Sequence, residues 1–150
     1  MHAIRIYEMP PCQMVASKPG IFGEPALDNF NAWMETLPRS LFPKDFITWD
    51  DSDPSHPWFR WYYQYEEGMM LPDGAEVVDF PGGMYAVATD IDQQTDKDAM
   101  NAAVAEFMAR YGFELDESRR ELGNIISSPA VSAVLGFEQM DFYYPVRPKI

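Results

Sequence analysis

Two stretches decide the fold: Glu8-Met9-Pro10-Pro11-Cys12-Gln13-Met14-Val15-Ala16 and Asp79-Phe80-Pro81-Gly82-Gly83-Met84-Tyr85-Ala86. An acid-x-Pro group recurs 71 positions on, and a Met-x-Ala group 70 positions on. Each stretch ends one strand candidate, turns at proline or glycine and begins another, and a helix candidate follows. The chain therefore reads as two similar halves, about 1–74 and 75–150, within a single domain.

Working outward, residues 3–8 and 13–17 read as strands. Pro25 suits the first position of a helix, where its missing N–H costs nothing. Leu27, Phe30, Met34 and Leu37 continue that helix at three- and four-residue spacing, with Trp33 beside them. Further strands are expected at 42–49, at 58–65 with a continuation over Met69–Leu71, at 75–80 and at 84–89. Thr95 is the expected cap of a second helix lined by Met100, Ala103, Val104, Phe107, Met108 and Tyr111 and closed by Gly112. Residues 114–123 read as polar linker, 127–136 as a short strand or turn, and 140–146 as the closing strand. The expected class is α+β: duplicated β-α-β-β units with pseudo-two-fold symmetry, a curved antiparallel sheet of about eight strands and two main helices.

A chain of 150 residues, 47% of them hydrophobic, can bury a real core. The 24 acids against 11 Lys and Arg leave a net charge of -13. That sign disfavours direct contact with nucleic acid or an anionic membrane and attracts cations. No apolar run approaches the roughly 20 residues that span a bilayer, and no signal-peptide pattern opens the chain, so a cytoplasmic location is expected. Cys12 has no second cysteine to pair with.

Catalytic patterns are sparse. No nucleophile motif surrounds His2, His56 or Cys12, and no catalytic residue is assigned. Asp50, Asp51, Asp53 and His56 lack the glycine and terminal Glu of a calcium loop, so no metal is expected. Gly82-Gly83 lacks a phosphate-binding pattern, and no cofactor is expected.

The aromatic residues say more. Trp58, Phe59, Trp61, Tyr62, Tyr63 and Tyr65 crowd one strand, and Phe142, Tyr143 and Tyr144 the last. Alternation puts Phe59, Trp61, Tyr63 and Tyr65 on one face, and Trp58 and Tyr62 on the other. A second aromatic face needs a helix, a partner or a ligand to cover it. Rings beside a carboxylate suit an organic cation, and Glu66, Glu67, Glu138 and Asp141 lie near these rings. Asp141 shares a face with Tyr143. It either meets a ligand cation there or faces water from an edge strand.

In order and spacing, Ile4–Ala16, Trp61–Gly68, Phe80–Val87 and Asp141–Val146 together resemble the effector-binding domain shared by the bacterial gyrase-inhibitory protein and the ligand-sensing parts of AraC-type and MerR-type transcription regulators. The resemblance covers nearly the whole chain. It implies a ligand cleft between the halves and non-enzymatic binding of a hydrophobic, often cationic, small molecule. Trp61, Tyr63, Tyr65, Tyr85 and Tyr143 would be its walls, Trp33 its closure, and Asp141, Glu66 or Glu138 its counter-charge. Asp141 stands where the family usually has Glu, and Thr89-Asp90-Ile91-Asp92 replaces its usual His-x-Gly. No helix-turn-helix segment accompanies these residues, so a sensor acting alone is expected. Alternatives are an inhibitor or interaction module with a protein partner or homodimer, and a small-substrate hydrolase using a pocket carboxylate.

Overall fold

A computed structural model describes residues 2–50 and 52–150. Asp51, one member of the acidic loop weighed for metal, lies outside them. The chain runs β1 (Ile4–Met9), β2 (Cys12–Ala16), α1 (Pro25–Glu35), β3 (Asp45–Asp50), β4 (Trp58–Gln64), β5 (Glu76–Phe80), β6 (Gly83–Ile91), α2 (Lys97–Tyr111), β7 (Phe113–Leu115), β8 (Leu122–Ile125), α3 (Pro129–Leu135) and β9 (Gln139–Pro148). Every described strand pair is antiparallel, and the class is α+β.

The contacts divide the chain into two compact units: Met1–Pro10 with Gly82–Ile150, and Pro11–Pro81. The chain passes from one unit to the other at Pro10-Pro11 and again at Pro81-Gly82, the two members of the repeated motif. Proline has no N–H to continue a ladder, so each strand ends there. Gly82 and Gly83 then take φ of 69° and 118°, which only glycine adopts without strain.

In the first unit the strand order is β1-β6-β9-β8, with β7 also on β9. In the second it is β5-β2-β4-β3. The two orders are the same topology: an outer strand taken from the other half of the sequence, then that half's own second, last and penultimate strands.

One helix covers one face of the strands in each unit. In the first unit Met100 and Val104 of α2 are fully buried against Ala86, Ala88, Tyr144 and Val146. The two alanines let the helix approach the strands closely. Burying side chains of this size contributes about 1.5–3 kcal/mol each. The Tyr144 hydroxyl donates to Asn101 Oδ1 at 2.7 Å, so its polar end is satisfied. In the second unit Leu27 and Phe30 of α1 are buried against β4.

Local expectations differ from the structure in five places. The cap of α2 is Asp96, which accepts from the Ala99 N–H at 3.0 Å, while the Thr95 hydroxyl donates back to the Ile91 carbonyl. Residues 69–71 form no strand, because the chain turns at 66–69 with the Met69 N–H on the Glu66 carbonyl. Residues 114–123 are not a simple linker: β7 and the start of β8 lie there, both paired to β9. Residues 129–135 are helical, capped by Ser128 and started by Pro129. Finally, β9 lies between β6 and β8, so Asp141 is not on an edge strand.

Candidate functional site

Register sorts the side chains of the first unit. Residues directly opposite across antiparallel strands share a face. The face under α2 carries Ala86, Ala88, Tyr144 and Val146. The opposite face therefore carries Arg5 and Tyr7 of β1, Tyr85, Val87 and Thr89 of β6, Asp141 and Tyr143 of β9, and Leu122 and Asn124 of β8. Arg5, Tyr7 and Thr89 are exposed, whereas Tyr85, Tyr143, Asp141 and Asn124 are buried. The face thus runs from an open rim at β1 to a closed polar centre at β9 and β8.

At that centre the Asp141 side chain is 6% exposed. Thr89 Oγ1 donates to its Oδ1. Arg5 Nη2 donates to its Oδ2 at 3.0 Å, and the Tyr143 hydroxyl approaches the same oxygen at 3.5 Å. A buried carboxylate needs such donors, since an unpaired one is costly. The Arg5 side chain is itself 57% exposed and reaches inward from the rim. Burial, reinforced by the Asp141 charge, pushes the Tyr143 phenol well above its ordinary range, so it remains a donor at physiological pH. The Tyr85 ring meets Tyr143 edge-on at 6.1 Å between centroids.

Tyr85 is held from another direction. Arg119 lies over its ring at 4.8 Å. The same guanidinium donates to the carbonyls of Gly82, Met84 and Val146 and to Asp116 Oδ2. Hydrogen bonds from Ser118 and then Arg119 hold the Asp116 carboxyl down at about 2.

The other expected walls lie in the second unit. Phe30 of α1 sits between Trp33, at 5.2 Å, and Trp61, at 6.3 Å, and Trp33 meets Tyr63 edge-on at 5.7 Å. The Trp33 indole donates to the Met70 carbonyl and the Trp61 indole to Asp45 Oδ2. These rings are covered by α1 and by one another. Tyr62 lies on the opposite face, with the Arg60 guanidinium 5.5 Å from its ring centre. Tyr65 is partly buried just past β4, its N–H bonded to the Gln13 carbonyl. Glu66 is exposed and paired with Lys44 at 2.7 Å. Glu138 is exposed just before β9.

The structure thus brings Tyr85, Asp141 and Tyr143 together, and separately Trp33, Trp61 and Tyr63. It adds Arg5, Thr89 and Asn124 beside Asp141, Tyr7 beside Tyr85, and Asp45 beside Trp61. Strand alternation alone could have marked Arg5 and Tyr7, or Tyr85 and Thr89, as face-mates. Which strands lie beside one another is a matter of non-local pairing.

Asp45 supports a stability prediction. Burial raises its pKa, with the Trp61 hydrogen bond opposing. A carboxyl raised in the fold favours its protonated form, so its contribution is fully present below about 3.9, the unfolded value, and is lost as pH rises through the folded value. Asp45→Asn keeps an acceptor for the indole without the buried charge. It should be more stable than the parent in urea unfolding at pH 7, with the difference closing as pH falls below about 4. An equal difference at both pH values contradicts this assignment.

Among the described residues no group of three His, Cys, Asp or Glu is placed to hold a metal ion, and no helix is long and apolar enough to cross a membrane. A depression lined by Ser17, Lys18, Phe30 and Asp73 has a volume of about 40 Å³. That is room for a water or two, far below the ~300 Å³ of a drug-sized site.

No protein-family model and no curated protein matches the chain. Solved structures do match in fold. A hydrolase from Listeria innocua superposes with a TM-score of 0.70 at 14% identity, covering 96% of this chain and 91% of that one. The EcmrR C-terminal domain gives 0.62 at 10% identity, covering 100% and 99%. SAV2435, solved with tetraphenylphosphonium bound, gives 0.51 at 9% identity, covering 97% and 94%. The chain has the fold of these proteins, among them the C-terminal domain of EcmrR and a protein that holds an organic cation.

Proposed function

We propose that this chain binds a hydrophobic organic cation on the face of the first unit opposite α2, without catalysis and without contacting nucleic acid itself. The observation that carries the reading is the buried Asp141 carboxylate, set among Tyr85 and Tyr143 and neutralised by a half-exposed arginine from the rim. Asp141 takes its hydrogen bonds from Arg5, Thr89 and Tyr143, donors that stabilise its charge. Arg5, 57% exposed, has room to swing to solvent, and the ligand's positive centre then takes its place and offsets the loss of that ion pair. Tyr143, with Tyr85 edge-on to it, supplies aromatic surface beside it. The net charge of -13 draws cations toward the protein. The resemblance in sequence order and the fold shared with a tetraphenylphosphonium-bound protein support the same reading. Trp33, Trp61 and Tyr63 are assigned the task of seating α1. Glu66 and Glu138 are assigned to the surface.

The test is calorimetric titration with a panel of aromatic cations, tetraphenylphosphonium among them, each beside an uncharged isostere. Saturable binding of at least one cation is expected, with its isostere weaker by about tenfold or more. Asp141→Asn should abolish that preference. Arg5→Ala, which removes the internal competitor, should strengthen cation binding. The reading is overturned if no cation in the panel binds, or if Asp141→Asn binds as well as the parent.

A further inference from the structure

Beside Asp141 lies a polar group that the fold leaves unfinished. Asn124 is 3% exposed, and its Oδ1 is buried with no hydrogen-bond partner. It stands directly opposite Asp141 in the β8–β9 register, so the two side chains emerge side by side on the same face. Asn124 also hydrogen-bonds the Tyr143 phenol, whose oxygen lies 3.5 Å from Asp141 Oδ2. A buried acceptor without a donor is rare in folded proteins and is costly to keep.

We infer that Asn124 makes this site selective for cations that carry N–H donors, so that its ligands are protonated hydrophobic amines in preference to quaternary ammonium or phosphonium ions. This rests on the cation-binding reading above and adds the chemical class. Once Arg5 leaves, the site offers the Asp141 Oδ2 acceptor and, on the neighbouring strand of the same face, the unpartnered Asn124 Oδ1. A protonated amine presents N–H groups to both and replaces what Arg5 gave Asp141. A fully alkylated cation offers charge and apolar surface but no donor, and it strands both oxygens in a closed setting.

The experiment compares 1-naphthylmethylamine with its N,N,N-trimethyl derivative at pH 7, where both are cations with the same ring. Calorimetric titrations use the parent, Asn124→Leu, which keeps the side-chain volume without the acceptor, and Arg5→Ala, which leaves Asn124 intact. In the parent and in Arg5→Ala the amine should bind about tenfold more tightly than the trimethyl compound. In Asn124→Leu that ratio should fall by about the same factor, chiefly through weaker amine binding. Equal binding of the two probes by the parent and by Arg5→Ala, or a preference for the trimethyl compound, overturns the inference and leaves cation binding standing. So does a preference that survives intact in a folded Asn124→Leu. Should Asn124→Leu fail to fold, the ratio in the other two proteins decides. Binding of neither probe by the parent or by Arg5→Ala overturns the inference together with the cation reading for this ligand class.

Discussion

Replacing Arg119 by methionine should destabilise the protein by about 3–5 kcal/mol, the cost of removing one partner from a buried ionic cluster. The Arg119 side chain is 12% exposed. It closes a cluster of three carbonyls from β6, β9 and the turn before β6, the Asp116 carboxylate and the Tyr85 ring. Methionine fills much of the volume but donates nothing, so those acceptors lose their partners in a place water reaches poorly. Gly83→Ala should act on the same cluster. A Cβ there would stand 2.6 Å from Arg119 Nη1, at a φ of +118° that alanine rarely adopts. Urea unfolding followed by circular dichroism measures both variants. A loss below about 1 kcal/mol for Arg119→Met would show that the cluster is peripheral. The pH dependence adds a separate check. Asp116 is depressed to about 2, so its contribution is present above the unfolded value, about 3.9, and is lost as pH falls from there through about 2. Arg119→Met should blunt that acid-side loss.

The second large effect belongs to Phe30→Ala, expected to cost about 3–5 kcal/mol through lost burial and the cavity left behind. Phe30 is 2% exposed, and its ring lies between those of Trp33 and Trp61. Without it, α1 loses the residue that seats it on β4, and both indoles lose their neighbour. Tryptophan emission should shift, and the near-ultraviolet dichroism of the rings should weaken, alongside the fall in the unfolding midpoint. An unchanged spectrum with a small stability loss would mean that Leu27 and the surrounding rings hold α1 without it. The variant also checks how roles are divided between the units. A folded Phe30→Ala protein should still bind a cation at Asp141, because none of the Asp141 contacts involves α1.

Local order was readable in this chain wherever its signal is local. The Pro25 start, the Leu27–Phe30–Met34 spacing and the Gly112 stop lie within a few residues of one another, so α1 and the end of α2 could be placed without a structure. Residues 114–135 could not, because β7 and β8 are short and exist only as partners of β9. A strand of three or four residues carries too little pattern to stand out from polar linker. Ser128-Pro129 did carry a helix-start signal, but the seven-residue helix that follows buries none of its residues, Val131, Val134 and Leu135 included, and is too short to show a helical period.

The candidate site divides along the same line. The sequence by itself determined the duplicated plan, the proline turns, the α+β class and the pairing of Asp141 with Tyr143 on one face, because proline chemistry and strand alternation act over a few residues. Only the tertiary structure decided that the repeated turns carry the chain between units, and that each half lends its first strand to the other unit's sheet. Only it set Arg5, Thr89 and Asn124 around Asp141 and put α1 over Trp61 and Tyr63. The physical reason is that strand pairing is a competition among distant backbones, settled by burial over the whole chain. A carboxylate's partners are chosen in that competition, not by its neighbours in sequence.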